Sequence, residues 1–307
     1  MKLLNEPSVS IIVATSSRYK RLEKLLYCLH NQTFQNFEII LVCIKADEAM
    51  RKMSLKYNAR LLEDEGKGLC HARNLGIKEA KGKIVFFLDD DVTLGKNWVE
   101  MVVKNFDLDC HIGGVGGTPI SAKDNDTLSN VGIYDIISDT VINKSKRLVG
   151  WQSKNIVYKA KVDFLSGSNM AFRRDILLKI GGSDENFYGP SVGEDVDLCL
   201  RISNAGYHLI LDPKASVYHH SDCIQRWSTY HKNNPSFFSS LADNQTYFCV
   251  KHQIAIGFKW FPYLLFRFLN ALFWMIKTRN PKIFFSYIRG IFKGRARANA
   301  QASRKSI

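Results

Sequence analysis

Between Val9 and Leu88, four short apolar runs alternate with three segments of helical periodicity. Residues 9–14, 37–44 and 84–88 are too short for buried helices and rich in apolar and β-branched side chains, so they read as buried strands; residues 60–62 read as a shorter one. Leu22, Leu25, Leu26 and Leu29 recur at helical spacing within 20–32. Residues 47–57 read as a second helix, and 69–80 as a third that ends at Lys81-Gly82. Strands and helices alternating in this way make βαβ units and a mostly parallel sheet, so the expected fold class is α/β. In such sheets ligands sit at the carboxyl ends of the strands. Thr15, the segment after Val42 and the aspartates after Leu88 then line one edge.

Those aspartates are the strongest chemical feature. Asp89, Asp90 and Asp91 follow the run Phe86-Phe87-Leu88 directly, and three adjacent carboxylates repel one another unless a cation offsets them. Oxygen ligands suit hard divalent ions such as Mg²⁺ or Mn²⁺. In an extended segment Asp89 and Asp91 share a side and Asp90 faces away. A second acidic pair, Glu194-Asp195, follows Gly193 and opens a helix over 195–204. Charge at a helix N-terminus explains such a pair by itself. Beside a metal site it also suggests a proton acceptor.

The rest is less regular. Residues 113–117 (GGVGG) suggest a loop or tight strand where backbones pack closely. Residues 121–160 read as a variable insertion, 163–172 as strand-like, and 207–211 and 216–219 as short strands. Seven scattered cysteines without a Cys-x-x-Cys pair argue against a disulfide framework or zinc site and fit a reducing compartment. The net charge of +14 is concentrated at the end of the chain: residues 251–307 hold twelve Lys or Arg and no Asp or Glu, with twelve of the 36 aromatic residues. On a helical wheel over 281–293, Lys282, Ser286, Arg289 and Lys293 share one face, while Ile283, Phe284, Tyr287, Ile288, Ile291 and Phe292 cover the rest. That pattern suits an anionic membrane surface, with the helix in its plane. Residues 260–276 are more apolar but short for a span. Nucleic acid is not an expected partner, because its phosphates would not cover the interleaved aliphatic surface. A tail helix packed on the catalytic body is the plainer alternative.

Four segments in order resemble the family 2 glycosyltransferases. They are SVSIIVATSSRYKRLEKLLYCLHNQTFQNFEIILV, GKGLCHARNLGIKEAKGKIVFFLDDDVTLGKNWVE, FLSGSNMAFRRDIL and GEDVDLCLRISNAGYHLILDPKASVYHH, spanning about residues 8–225. The resemblance implies the GT-A fold and inverting transfer of one sugar from a nucleotide-diphosphate sugar to a hydroxyl of a glycan or lipid-linked acceptor. It implies donor contacts at Ala14, Thr15, Arg18, Arg73, Asp89 and Asp90. It makes Asp89 and Asp91 an Asp-x-Asp pair for Mg²⁺ or Mn²⁺, with His219 or the adjacent His220 as a further ligand. It makes Asp195 the general base, with Glu194 beside it. It divides the chain into a catalytic domain, 1–250, and a helical tail, 251–307; the nucleotide-sugar half is about 1–118 and the acceptor half about 119–250. The enzyme is then expected in the cytoplasm, peripheral at the inner face of the cell membrane.

The chain also departs from that pattern. Cys43 stands where the family commonly has a base-contacting Asp, and Asp47 is read as its substitute. Ala14 replaces a frequent Pro. The Gln-x-x-Arg-Trp motif of processive members has Cys223 in place of Gln before Arg226-Trp227, which suggests single addition, with Trp227 and Tyr230 either lining the acceptor cleft or simply packed. Two other functions are weighed. A sugar-nucleotide pyrophosphorylase should carry a Gly-rich basic loop after the first strand, and ATSSRYKR has no glycine. A non-catalytic glycan-binding scaffold would not need Asp89, Asp91 and Asp195.

Overall fold

A computed structural model of the chain describes residues 6–16, 18–121, 158–220, 234–252 and 260–305. They fall into two compact units. The first holds an eight-stranded sheet in the order β3-β2-β1-β4-β9-β6-β10-β8. Its strands are β1 (Val9–Thr15), β2 (Phe37–Cys43), β3 (Ala59–Glu63), β4 (Ile84–Asp89), β6 (Ile112–Gly116), β8 (Ala160–Val162), β9 (Asn169–Arg173) and β10 (His208–Leu211). β3, β2, β1 and β4 are parallel neighbours, β9 runs against both β4 and β6, β10 is parallel to β6, and β8 closes the edge antiparallel to β10. This is the expected α/β architecture with a mostly parallel sheet.

The helices cover the sheet for the reason their spacing gives. In α1 (Tyr19–His30), Leu22, Leu25, Leu26 and Leu29 are all fully buried; burial of each contributes about 1.5–3 kcal/mol. α2 (Glu48–Lys56) and α3 (Leu69–Glu79) follow β2 and β3 as the pattern predicts. α4 (Trp98–Phe106) has no counterpart in the sequence reading; its Trp98, Val99, Val102 and Phe106 are buried at helical spacing. α5 (Arg174–Lys179) continues from β9, and α6 (Glu194–Asn204) carries an Arg201–Asp197 ion pair one turn apart, at 2.8 Å. Residues 113–116 of the GGVGG segment lie in strand β6, the tight-strand alternative, and only the second half of 163–172 is strand.

A second, three-stranded sheet aims the acidic edge. In it β11 (Val217–His219) lies between β5 (Val92–Thr93) and β7 (Pro119–Ser121). The approach to β11 is pinned at one carbonyl: Ala215 O accepts from both Trp98 Nε1, at 2.8 Å, and Asn169 Nδ2, at 2.9 Å. Only glycine fits at 117, where a Cβ would stand 2.0 Å from that same oxygen.

The second unit, among its described residues, comprises 185–194 and three helices: α7 (Pro235–Lys251), α8 (Trp260–Thr278) and α9 (Pro281–Lys305). α7, placed by sequence in the acceptor half, belongs to the same compact unit as α8 and α9. The physical reason is a close-packed seam. Gly290 and Gly294 of α9 lie against α7, where a Cβ would come within 2.2 Å of Ser239 O and 2.3 Å of Asp243 O. Ile283 and Tyr287 extend the seam onto Phe238 and Ala242. Several apolar α9 residues that the helical wheel offered to a membrane are therefore inside the helical unit. Residues 122–157 and the aromatics Trp227 and Tyr230 lie outside the described residues.

Candidate active site

Asp89 ends β4, and Asp90 and Asp91 make the turn into β5. Asp90 is fully buried; it accepts from Thr15 Oγ1 at 2.6 Å and pairs with Arg18. Burial raises its pKa despite Arg18 and Thr15. Asp91 is also buried, 2.8 Å from Arg18 Nη1 and 3.3 Å from Arg21 Nη1. Burial alone would raise its pKa, but His219, Arg18 and Arg21 outweigh it and hold the carboxyl below its ordinary value. Asp89 is the open member, with its side chain 36% exposed.

His219 arrives through strand pairing. β11 sets it opposite Val92, and the next N–H, that of His220, donates to Asp91 O at 2.8 Å. His219 Nε2 stands 3.2 Å from Asp91 Oδ1 and 3.6 Å from Asp89 Oδ2. Burial disfavours its charged form, yet the contacts with Asp89 and Asp91 prevail and push its pKa up to about 10. His220 turns to Thr93 Oγ1 at 2.9 Å, so His219 is the histidine grouped with the aspartates.

One ligand atom each from Asp89, Asp91 and His219 lie within 4.8 Å of one another. His219 Nδ1 is buried with no hydrogen-bond partner among the described residues, and Asp91 Oδ1 has only the His219 ion pair. A buried carboxylate facing an imidazole nitrogen needs a proton or a cation between them. Two carboxylates and one imidazole, open to solvent at Asp89, fit a hard divalent ion such as Mg²⁺ or Mn²⁺.

Asp90 is enclosed by Thr15 and Arg18, so it ties the end of β1 to the acidic turn. Ala14 is half-buried, beside Val42 on one strand and Asp89 on the other. The exposed Asp47 carboxylate caps α2, accepting from Met50 N at 2.9 Å and from Tyr19 Oη at 2.6 Å. The carboxylate at the strand edge is Asp64, which sequence reasoning passed over. It follows β3, its N–H donates to Cys43 O at 2.7 Å, and its buried side chain lies 3.4 Å from His71 Nε2. The signal was present in Glu63-Asp64-Glu65 before Gly66, at the end of a strand. Burial, helped by Glu63, raises the Cys43 thiol pKa and keeps it neutral.

Asp195 is buried on the first turn of α6. Its Oδ1 accepts from Val196 N at 2.9 Å and its Oδ2 from Gly167 N at 3.1 Å. Burial raises its pKa, opposed by those N–H groups and by the charge of Arg73. Arg73 donates to Gly167 O at 2.9 Å and lies over the Phe87 ring at 5.3 Å. The Ser166–Gly167–Ser168 turn thus joins Arg73 to Asp195, a role that sequence did not assign. Glu194, the first residue of α6, is buried as well.

The model of the family described as glycosyl transferase family 2 matches residues 10–181. The chain belongs to that family. Among the relatives of this glycosyltransferase is a glucosyl-dolichyl phosphate glucuronosyltransferase of Haloferax volcanii, 24% identical over 231 residues, covering 69% of the chain and 68% of the relative. A chondroitin synthase of Escherichia coli is 26% identical over 238 residues, 69% of the chain but 34% of that longer protein. The solved mannosyltransferase PcManGT from Pyrobaculum calidifontis, in complex with GDP-Man and Mn²⁺, superposes with a TM-score of 0.56 at 18% identity, covering 98% of this chain and 80% of that one. The fold is GT-A. Family membership sets aside the pyrophosphorylase weighed from sequence.

Proposed function

We propose that this glycosyltransferase moves one sugar from a nucleotide-diphosphate donor to a hydroxyl of a glycan or lipid-linked acceptor, inverting the anomeric centre. The observation that carries the reading is the convergence of Asp89, Asp91 and His219 at the ends of β4 and β11. These three would hold Mg²⁺ or Mn²⁺, which supplies positive charge against the departing diphosphate. Arg18 and Arg21 keep the acidic turn in place and add positive charge beside it. Asp195 takes the proton from the acceptor hydroxyl as its oxygen attacks the anomeric carbon from the face opposite the diphosphate. A single displacement of this kind forms no covalent enzyme intermediate. Asp64, next to Cys43, is the candidate for reading the nucleobase in place of Asp47. The name of the Haloferax volcanii relative supports a lipid-linked acceptor.

Melting of the full chain with UDP-, GDP- and dTDP-sugars, with and without Mn²⁺, tests the donor reading. One nucleotide class at about 100 Kd should add about 2.7 kcal/mol, or about 5–10 °C, only when Mn²⁺ is present. No metal-dependent shift with any of them would refute it.

The tail is read as a membrane-surface element. Leu265, Leu269, Phe273 and Ile276 are exposed at spacings of one helical face on α8, while Ala271 is buried on another. Phe285 and Phe292 are exposed on α9, within a stretch that also exposes Lys282, Arg289 and Lys293. An apolar stripe flanked by unopposed positive charge matches an anionic bilayer. No helix among the described residues is long and apolar enough to cross a membrane. Replacing Leu269 and Phe273 together by Glu should weaken binding to phosphatidylglycerol vesicles by about 100-fold or more, since each loses about 1.5–3 kcal/mol of burial. Unchanged co-sedimentation would show that this stripe is not the contact.

A further inference from the structure

At the sheet edge opposite the acidic turn, a second set of metal-ligating side chains converges. β9 runs against both β4 and β6, so β6 is parallel to β4 and its entry lies at the other end from Asp89. There one ligand atom each from Asp109, Cys110 and His111 lie within 4.8 Å of one another. His111 Nδ1 is their meeting point, 3.1 Å from Asp109 Oδ1 and 3.5 Å from Cys110 Sγ. Ligand atoms that share a tetrahedral Zn²⁺, with bonds of about 2.0–2.3 Å, stand about 3.3–3.6 Å apart. These side chains are thus near ligand spacing already.

The backbone holds them there. Ile112 N donates to Asp109 O at 3.1 Å, and His208 N donates to His111 O at 2.8 Å where β10 begins. Arg173 of β9 donates through Nε to Ile112 O at 2.9 Å, and through Nη2 to Phe106 O at 2.7 Å and Asp109 O at 3.3 Å. His111 N donates to Asp109 Oδ1 at 2.8 Å and folds the carboxylate over the turn. A turn tied in this way loses little freedom when it takes a ligand. Asp109, Cys110 and His111 are all exposed, so an ion reaches them from solvent and water completes its shell.

The donor set differs from that of the acidic edge. Thiolate with imidazole favours Zn²⁺, whereas carboxylates suit Mg²⁺ or Mn²⁺. Cysteine spacing pointed away from zinc, but a site with one thiolate needs no second cysteine when His and Asp adjoin it. We propose that Asp109, Cys110 and His111 form a second cation site, for Zn²⁺ or another thiophilic divalent ion, separate from the active edge. Cys110 binds as the thiolate and releases its proton to solvent.

The test is a Co²⁺ titration of the reduced full chain in excess Mg²⁺. Co²⁺ held by Asp89, Asp91 and His219 has no sulfur ligand, so a thiolate-to-cobalt charge-transfer band in the near ultraviolet reports the new site alone. The band should saturate near about one equivalent with a Kd of about 1–10 μM, as suits a few exposed ligands rather than a closed four-ligand site. Zn²⁺ should displace it. Cys110→Ser should abolish the band, and His111→Ala should weaken binding by about 100-fold. Asp91→Asn should leave it within about two-fold, since that carboxylate lies at the other edge. Saturating Zn²⁺ should also slow alkylation of Cys110 by iodoacetamide by about 10-fold or more, read by peptide mass, while Mn²⁺ should not. No band in the wild-type chain, a band that persists in Cys110→Ser, or a Cys110 that Zn²⁺ does not protect would overturn the proposal and leave a hydrogen-bonded turn. The alkylation arm uses the wild-type chain and decides the matter even if a variant fails to fold.

Discussion

Asp195→Asn should lower metal-dependent turnover by about 10³-fold, the usual scale for loss of a general base. The amide keeps the shape of the side chain and one acceptor for the N–H groups of Val196 and Gly167, so the fold should survive. A pH signature accompanies the loss. Burial raises the Asp195 pKa, so the wild-type rate should fall on the acid side at a pH above the ordinary carboxylate range. Stability moves the other way. A carboxyl whose folded pKa is raised contributes stability that is fully present below its unfolded pKa and lost as pH rises through the folded value. The melting temperature of Asp195→Asn relative to wild type should therefore be higher at pH 7.5 than at pH 4.5. Melting curves and rate profiles of the two proteins measure both effects. Wild-type turnover in the variant would end the case for Asp195.

Asp91→Asn should bring a comparable loss of turnover, about 10³-fold, because it removes the most enclosed carboxylate of the cluster and several kcal/mol of charge stabilisation. Its readout does not depend on catalysis. Binding of Mn²⁺ by the full chain without donor, followed by electron paramagnetic resonance or calorimetry, should disappear in Asp91→Asn and weaken by about 10–100-fold in His219→Ala. Asp90→Asn is the contrasting variant. Asp90 is bonded to Thr15 and Arg18 and belongs to the frame of the turn, so its replacement should lower melting while leaving Mn²⁺ affinity within about three-fold. Equal loss of Mn²⁺ affinity in all three would mean that the ion is bound by the turn as a whole, and that the geometric division among the aspartates is wrong.

These expectations draw on two kinds of information. The first four strands, the helices between them and the placement of Asp89–Asp91 at a strand end were legible because local periodicity decides them: leucines at helical spacing in α1 and apolar runs in β1, β2 and β4 have one way to be buried. The acidic pair opening α6 was legible for the same reason. Less could be read where the partner lies far along the chain. α4 went unnoticed between two short strands, although Asn97 and Glu100 stand at its start as an N-terminal signal.

The division of labour within the acidic cluster was decided by tertiary structure. Asp47 and Asp64 look equally plausible as linear positions, but the first is spent on the α2 cap and the second lies buried beside Cys43. His219 and His220 are adjacent letters; pairing between β5 and β11 turns one toward Asp91 and the other toward Thr93. The basic, aromatic tail was evident from composition, yet composition does not say which aromatics face inward. Gly290 and Gly294 settle that by letting α9 close onto α7, which buries Tyr287, leaves Phe285 and Phe292 exposed, and brings Arg297 to Asp243. Short-range pattern determines which segments are strands and helices. Which side chains meet depends on register and close approach between elements far apart in sequence, and these exist only in the folded chain.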